Sequence, residues 1–301
     1  MDEREWLNGQ FEVHRGRLRA VAFRMLGSAA EADDAVQDAW LRVDRAGADG
    51  VDNVGAWLTT IVARVCLNQL RSRTQRREDP LDVHVPDPIV SPAAGVDPEH
   101  EALLADSVGL ALLVVLETLT PAERLAFVLH DMFAVPFEEI APMLERTPAA
   151  ARQLASRARR RVQGRPTAPD PDVARQRAVV DAFFAASRGG DFAALVGLLD
   201  PDIILRSDGG AARAKFTFTL HGPEQVATQA LASSRLSPFV YPALVNGAAG
   251  VVVATAPDRP LFVMAFTVTE DRIVAIDVLA DPDRLRGLDL AALRAGGTVG
   301  E

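Results

Sequence analysis

The chain contains 301 residues, 49% of them hydrophobic, and its formal net charge at pH 7 is -9. This length exceeds what one hydrophobic core usually supports, so two or three domains are expected. Residues 1–5 lack the basic and apolar regions of a signal peptide, and no run approaches 18 apolar residues, so we expect a cytosolic protein that does not enter a membrane. The single cysteine, Cys66, excludes an intrachain disulfide and a cysteine-based zinc site, and its apolar neighbours predict a small core residue.

Charge is distributed unevenly along the chain. Residues 1–77 carry a net charge of +1, residues 78–101 carry -7, residues 102–169 carry +1 and residues 170–301 carry -4. Two stretches, 54–77 and 146–169, contain arginines and no acidic residue, and each coincides with a predicted helix. Arginine concentrated in this way on an acidic chain is typical of a surface that neutralises a phosphate backbone, although a solvated helix face would show the same pattern.

Residues 1–77 show the pattern of a compact helical bundle. An amphipathic helix is predicted over about residues 11–26, and a second helix begins where Ser28 and Glu31 have the spacing of a capping box. The apolar residues of this second helix recur at helical spacing and leave a partly acidic set on its other faces. The set comprises Asp33, Asp34, Gln37, Asp38 and Leu41.

A third helix, capped by Asp52 or Asn53, leads into the first arginine cluster. Arginines accompanied by an aromatic ring and amides are the mixture expected where the bases of an opened strand are stacked or hydrogen-bonded, although Trp57 could equally be a core residue. The candidate nucleic-acid-binding residues of this helix are Trp57, Arg64, Asn68, Arg71, Arg73, Arg76 and Arg77.

Residues 78–99 form an acidic connector that is rich in proline. The five prolines between residues 80 and 98 exclude a regular helix and favour extended or turn conformations. The apolar residues Val83, Val85, Ile89 and Val90 would be unnecessary in a purely solvated tether. A docking segment and a passive linker are therefore both open at this point.

Residues 100–164 show the pattern of a four-helix unit, with a second capping box that begins at Thr120. A helix over about 137–144 and another over about 148–163 are separated by about three residues, as in a helix-turn-helix, and Pro142 is expected to shorten or bend the first of the two. The exposed face of the second helix carries groups that pair with base edges and phosphates. These candidates are Arg152, Gln153, Ser156, Arg157, Arg159 and Arg160.

After a second linker at residues 165–171, the pattern of residues 172–290 changes class. Two helices are followed by strand-like segments with hairpin turns, which predicts an α+β domain with a curved antiparallel sheet and helices on one face. The polar groups available for catalysis show no recognisable triad or metal-ligand spacing, so we expect no enzymatic activity, no cofactor and no metal site. These groups are Asp202, His221, Tyr241 and Asp277.

Taken in order, the helical parts resemble the sigma factors of the extracytoplasmic-function (ECF) type. The sequences that carry the resemblance are EADDAVQDAWLRV, AWLTTIVARVCLNQLRSR, FEEIAPML and AAARQLASRARRRV, which lie within residues 10–163. The resemblance implies a region 2 helical bundle and a region 4 helix-turn-helix. It also implies that the acidic set of the second helix docks on the clamp helices of the largest RNA polymerase subunit, that the 54–77 helix reads and melts the -10 element, and that the helix-turn-helix reads the -35 element.

The C-terminal part resembles the SnoaL-like members of the NTF2 superfamily that are fused to some sigma factors. In that group a proline-containing linker motif and a glycine-rich loop are characteristic, which implies a regulatory contact between them. This sequence has His84 where tryptophan is usual, and residues 211–214 lengthen the loop. The residues implied in regulation are Val85, Pro86, Asp87, Pro88, Asp208, Gly209, Gly210 and Lys215.

The combined prediction is a multidomain protein with two all-α sigma domains, a region 2 helical bundle and a region 4 helix-turn-helix, followed by an α+β NTF2-like cone domain. It would act as an alternative sigma factor with core RNA polymerase and promoter DNA as partners, and control by its own C-terminal domain would replace a separate anti-sigma protein. Two other classes stay open from the residues alone. One is a polymerase-independent helix-turn-helix regulator with a ligand-sensing cone, and the other is a cone-domain enzyme tethered to DNA.

Overall fold

A computed structural model describes residues 3–47, 50–76, 83–93, 109–163, 169–234, 239–256, 258–288 and 290–294. The chain divides into two compact units. The first unit combines residues 1–78 with residues 115–165, and the second combines residues 79–114 with residues 166–301. The chain therefore passes between the units three times, and the proline-rich connector belongs to the second unit.

The first unit begins with three helices, α1 (Glu3–Leu26), α2 (Ala29–Ala46) and α3 (Val54–Arg76), which pack on one another. Alanine and valine side chains on one face of α2 are buried in this bundle. Cys66 of α3 is fully buried, and burial raises the pKa of its thiol to about 12. The thiol therefore stays protonated at neutral pH, and its expected role as a core residue is confirmed.

The prediction of a capping box at the start of α2 was wrong. Ser28 occupies the N-cap position with an extended backbone, but its side chain makes no capping hydrogen bond. Glu31 instead forms an ion pair with Arg73 of α3. The Glu31 carboxylate, which the spacing assigned to the start of α2, is therefore bound by a neighbouring helix. The spacing of residues within α2 cannot predict a partner on another helix.

The boundary between the two units falls within the next helix, α4 (Leu110–Glu117), and the remaining helices of the first unit follow it. They are α5 (Pro121–Phe127), which continues as a π-helical turn (Val128–Met132), α6 (Phe137–Leu144) and α7 (Pro148–Val162). The second capping box is confirmed, because Thr120 Oγ1 accepts from the amide of Glu123 at 3.3 Å while the Glu123 carboxylate accepts from the amide of Thr120 at 3.2 Å. Pro142 does not interrupt α6, which is continuous over its eight residues. The expected beginning of the four-helix unit at residue 100 lies outside the described residues.

The second unit is a mixed sheet with helices on one face. Its strands are β1 (Val90–Pro92), β2 (Leu199–Asp208), β3 (Phe218–His221), β4 (Phe239–Val245), β5 (Ala248–Ala256), β6 (Arg259–Thr269) and β7 (Arg272–Leu279). Their order in the sheet is β1-β4-β5-β6-β7-β2-β3. The main helices are α8 (Val173–Gly189), α9 (Phe192–Leu198) and α10 (Pro223–Ser233), followed by the short α11 (Pro282–Leu285) and α12 (Leu290–Arg294). Side chains from α8, α9 and α10 share one apolar core with the inner face of the sheet.

The expected all-antiparallel sheet was wrong at one pairing. Strands β4 to β7 form antiparallel neighbours through short turns, but β2 pairs with β7 in parallel. Because β2 follows two helices and meets β7 about 70 residues later in the sequence, no hairpin turn fixes their relative direction. The sheet is therefore mixed.

The proline-rich connector supplies the outermost strand on one side of the sheet. Strand β1 pairs antiparallel with β4, with Val90 opposite Val245 and Pro92 opposite Ala243. Ile89, the residue before β1, is held by Asn246, which lies in the turn after β4. The backbone N–H of Asn246 donates to Ile89 O at 2.8 Å, and the side-chain oxygen of Asn246 accepts from Ile89 N at 2.9 Å. The apolar connector is therefore a docked segment.

Candidate functional site

Four of the five acidic-set residues lie together on one face of α2. Asp34, Gln37, Asp38 and Leu41 are all exposed and follow the i, i+3, i+4, i+7 spacing of a single helix face. Leu41 is 45% exposed, which is unusual for a large apolar side chain in a bundle helix. Asp33 stands apart, because the Arg19 guanidinium binds both of its carboxylate oxygens, at 2.5 and 2.9 Å. We call the four clustered residues the α2 stripe.

A second stripe runs along α3. Trp57, Arg64, Asn68 and Arg71 fall on one side of this helix, because they are separated by seven, four and three residues. The last three are exposed, and Trp57 is half-buried. These four residues form the α3 stripe.

The structure does not bring the other predicted residues of this helix into the α3 stripe. Arg73 lies about 160° around the helix from Trp57, since successive residues advance by about 100°. Its guanidinium is held by Glu31 and donates to Leu26 O at 3.4 Å. Arg76 is the last residue of α3, and Arg77 lies outside the described residues.

The second helix of the helix-turn-helix, α7, begins at a satisfied cap. Thr147 Oγ1 accepts from Ala150 N at 3.2 Å, and Pro148 occupies the first turn. Buried alanines at 151, 155 and 158 hold α7 against its neighbours, so Arg152, Gln153 and Arg160 are exposed and Ser156 is half-buried. The Arg152 guanidinium lies over the Phe137 ring, 5.2 Å from its centroid. The face expected to meet DNA is therefore open among the described residues.

Two of the predicted DNA-binding arginines of α7 are already paired with acids of α5 and its π-helical turn. Arg157 Nε donates to Glu123 Oε1 at 3.0 Å, and Arg159 Nε donates to Asp131 Oδ1 at 2.5 Å. Arg161 also donates to Glu123, at 2.7 Å. These guanidinium groups keep 37 to 48% of their side-chain surface exposed, so each can still face a phosphate on one side.

Glu123, which the sequence pattern identified only as part of a capping box, has further partners on α7. It is 4% exposed, and it accepts from Thr120 as well as from Arg157 and Arg161. Burial by itself would raise the pKa of its carboxyl, but the bonds from Thr120 and the two arginines outweigh burial and lower that pKa. Glu123 is therefore an anion that holds the basic face of α7 in place.

The two helical modules of the first unit also contact each other directly. Arg17 of α1 donates to Phe133 O at 3.1 Å. The guanidinium carbon of Arg24, also on α1, lies 4.8 Å from the centroid of the Phe133 ring. Helix α3 packs in addition against α5 and α6. The contacts of Arg17 and Arg24 with Phe133 are together called the Phe133 contact.

In the second unit, the predicted linker and loop residues meet at Asp208, the last residue of β2. Its side chain is 3% exposed. Asp208 Oδ2 accepts from Val85 N at 2.9 Å, and Oδ1 accepts from Gly210 N at 3.0 Å. His84, the departure from the family pattern, places Nδ1 3.4 Å from Oδ2. Burial alone would raise the pKa of Asp208, but the bonds from His84, Val85, Gly210 and Arg284 lower it to about 2.

Arg284, on α11, completes this cluster and was not among the predicted site residues. It donates to Asp208 at 2.9 Å, to Asp87 at 2.5 Å and to the Val85 carbonyl at 2.5 Å. The sequence marks it only by its place in residues 280–285 (ADPDRL), near the end of the domain. Val85, Asp87, Asp208 and Arg284 are called the linker clamp below.

The glycines of the loop fit this arrangement, whereas the lysine does not take part in it. Gly210 has φ 59°, and a Cβ there would lie 2.0 Å from the carboxylate of Asp281. A Cβ at Gly209 would lie 2.1 Å from Arg213 O. Lys215 is exposed in a single 3-10 turn (Ala214–Phe216) and has no hydrogen bond or ion pair with the described residues.

The polar groups considered for catalysis are dispersed. Asp202 and His221 are exposed, and Tyr241 is 1% exposed with its ring stacked beside Phe239. Asp277 is buried and paired with Arg206 at 2.7 Å, and burial raises its pKa against the opposing effect of that arginine. Within the described ranges, no group of three or more histidine, cysteine or acidic side chains could hold a metal ion. No described helix is long and apolar enough to cross a bilayer.

Comparison with known proteins covers both units. Models of sigma-70 region 2 and sigma-70 region 4 match residues 10–76 and residues 109–162. The ECF RNA polymerase sigma factor SigJ of Mycobacterium tuberculosis is 38% identical over 299 residues, which cover 95% of each chain. The probable ECF RNA polymerase sigma factor SigI of the same species is 34% identical over 293 residues, covering 95% of this chain and 97% of SigI.

The solved structures agree with the sequences. The crystal structure of M. tuberculosis SigJ superimposes with a TM-score of 0.76 at 36% identity, covering 94% of this chain and 99% of SigJ. Helical sigma modules followed by a mixed sheet domain are therefore the architecture that the two proteins share.

Proposed function

Because the chain belongs to the ECF RNA polymerase sigma factors, it is an alternative sigma factor that directs promoter-specific transcription initiation, and we propose which of its surfaces carry out each step. Sigma factors bind core RNA polymerase and promoter DNA. Relatives that match over the whole length are sigma factors, so a helix-turn-helix regulator that works without polymerase is not favoured.

The α2 stripe is proposed to bind the clamp helices of the largest polymerase subunit. Exposed Leu41 provides an apolar anchor, and Asp34 and Asp38 flank it with negative charge that a basic partner would neutralise. An anchor surrounded by charges is the common arrangement of an interface hot spot. Asp33 contributes less, since Arg19 already neutralises it.

Promoter DNA is proposed to bind the α3 stripe and the exposed face of α7. On the α3 stripe, Trp57 and Asn68 face the opened bases of the -10 element, and Arg64 and Arg71 bind the phosphates. On α7, the N-terminal Arg152 and Gln153 read base edges of the -35 element, with Ser156 beside them. The basic C-terminal half of α7 then holds the DNA backbone through Arg157, Arg159 and Arg160.

Binding both elements requires the two modules to separate. The -10 and -35 elements lie about 25 base pairs apart, or about 85 Å at about 3.4 Å per base pair. A compact unit of about 130 residues has a radius of gyration of about 14 Å and is about 36 Å across. The Phe133 contact must therefore open before α3 and α7 occupy one promoter.

Control in cis is proposed to act through the linker clamp. The observation that carries this proposal is that Arg284 binds both the connector, at Asp87 and the Val85 carbonyl, and the sheet domain, at Asp208. The connector joins the two DNA-binding modules, so a segment fixed on the sheet restrains their separation. Such a restraint within the chain would take the role that a separate anti-sigma protein has elsewhere.

Arg284→Gln provides the test, with Arg286→Gln as the matched control. Arg286 is exposed and pairs only with nearby Asp283 among the described residues, whereas Arg284 holds the linker clamp. With core RNA polymerase and genomic promoter fragments, the Arg284 variant should yield more transcript than the wild type, because the connector is released. The control should match the wild type. Equal yields from all three proteins would refute control in cis, and a lower yield from Arg284→Gln would refute the restraining direction.

The sheet domain is proposed to act as a regulator without catalysis. The four polar groups considered for acid–base chemistry lie apart from one another, and none of them lines the cavity between the sheet and its helices. Asp277, the one with a raised pKa, is occupied by Arg206. Multiple turnovers of a small-molecule substrate, abolished by Asp277→Asn, would contradict this proposal.

A further inference from the structure

The sheet domain contains a partly open aromatic cavity of about 280 Å³. It lies between the inner face of the sheet and helices α8 and α10. Its apolar wall includes Phe183 and Phe184 from α8 and the rings of Phe216, Phe218 and Phe262. The rings of Phe216 and Phe262 approach each other with centroids 5.8 Å apart.

The wall of this cavity is mainly apolar, and its one charged lining residue, Arg188, is exposed at the end of α8. Ser187 Oγ donates to Ala230 O at 3.0 Å, and Gln229 Nε2 donates to Ser233 Oγ at 3.0 Å, so these polar groups are satisfied within the protein. An apolar cavity of about 150 Å³ holds one benzene molecule. A cavity nearly twice as large and lined by phenylalanine is therefore suited to a flat molecule of two fused aromatic rings.

The wall of this cavity is continuous with the linker clamp. Ser207 lines the cavity, and the next residue on β2 is Asp208, which binds Val85 and Arg284. Phe216 closes the glycine loop onto the cavity, and a Cβ at Gly209 would lie 3.0 Å from Phe216 Cβ. Residues 207–216 thus contact the cavity through Ser207 and Phe216 and the connector through Asp208.

We propose that this cavity is a binding site for a small two-ring aromatic molecule, and that its occupancy strengthens docking of the connector. The open cavity and the docked connector occur together in one conformation of residues 207–216. A ligand that binds this conformation more tightly than the undocked one stabilises the docked connector by the difference between the two binding free energies. The regulatory meaning of this coupling rests on the proposed restraint by the linker clamp, whereas the binding itself does not.

The test uses the full chain and naphthalene. Naphthalene binding is measured by titration calorimetry, and hydrogen exchange of residues 83–92 is measured by mass spectrometry with and without the ligand. One saturable site is expected. At a ligand concentration of about 100 times Kd, exchange in residues 83–92 should become slower, by at most about 100-fold if the undocked state does not bind.

Two variants of α10 separate cavity binding from adsorption to the surface. Ser233→Phe places a ring in the cavity and should weaken naphthalene binding at least about tenfold, because the ligand and the new side chain compete for one volume. Ala232→Phe, on the adjacent exposed position, should bind as the wild type does. Equal binding by the two variants, or no saturable binding by the wild type, would overturn the site.

The coupling has its own outcomes. Unchanged or faster exchange in residues 83–92 at saturation would overturn it while leaving the site intact. Neither result depends on polymerase, so failure of the coupling is distinguishable from failure of the transcriptional restraint, which is measured with Arg284→Gln.

Discussion

Substitution of Asp208 by asparagine should release the connector from the sheet domain. The carboxylate is 3% exposed and accepts from Val85 N and Arg284 at 2.9 Å each. Its pKa falls from 3.8 to about 2, and each pKa unit corresponds to about 1.4 kcal/mol, so the charge contributes on the order of 2 kcal/mol at neutral pH. Asparagine has nearly the same shape as aspartate, but it lacks the negative charge and would place an NH₂ group beside the N–H donors of Val85, Gly210 and Arg284.

Part of this stabilisation comes from Gly210 in the same loop, so about 2 kcal/mol, or an equilibrium about 30-fold less favourable for docking, is an upper limit. Hydrogen exchange of residues 83–92 at pH 7 should therefore accelerate in Asp208→Asn, by up to about that factor. Asp202→Asn is the control, since Asp202 is on the same strand and exposed. Acceleration below about threefold, or an equal effect in the control, would refute the assignment of Asp208 as the centre of the linker clamp.

The same carboxylate gives docking a defined pH dependence. The pKa of Asp208 is lower in the folded chain than in the unfolded chain, so its stabilisation is complete above the unfolded value and is lost as pH falls from about 4 towards about 2. Asp208→Asn should lack this loss. Wild-type docking that is insensitive to pH over this window would contradict the cited pKa.

Three further changes test the helical unit. Leu41→Asp should weaken binding to core polymerase at least about tenfold without changing the melting temperature, and unchanged affinity would exclude the α2 stripe. Glu123→Gln should lower the free energy of unfolding, measured in urea, by about 1–2 kcal/mol, whereas Glu138→Gln, at an exposed position, should not change it. Because the pKa of Glu123 is lowered in the folded chain, the difference between the two variants should shrink as pH falls below about 4. Arg160→Ala should weaken all DNA binding and reduce its salt dependence, whereas Arg152→Ala should mainly relax preference for the -35 sequence, as measured by fluorescence anisotropy.

The sequence was most informative where structure depends on neighbouring residues. The cap at Thr120, the three-residue turn before α7 and the stripes of α2 and α3 all follow from spacings of three to seven residues. Helical periodicity and capping act over such distances, so one sequence is enough to predict them.

Contacts between distant residues were harder to predict. Arg284 lies 197 residues from Asp87, and no periodic pattern connects them. Ser28 and Glu31 had the right spacing for a cap, yet Arg73 binds the glutamate. The parallel pairing of β2 with β7 was missed for the same reason, because partners that are remote in sequence are chosen by packing of the whole sheet.

The pairing of the connector with β4 also protects the sheet. While β1 is in place, the outer backbone groups of β4 face a strand of the same chain. When the connector leaves, β4 becomes an open edge with unpaired amides and carbonyls, and such edges recruit other strands. An undocked protein should consequently self-associate as its concentration rises. Under the proposed control in cis, binding to core polymerase would compete with this self-association for the released protein.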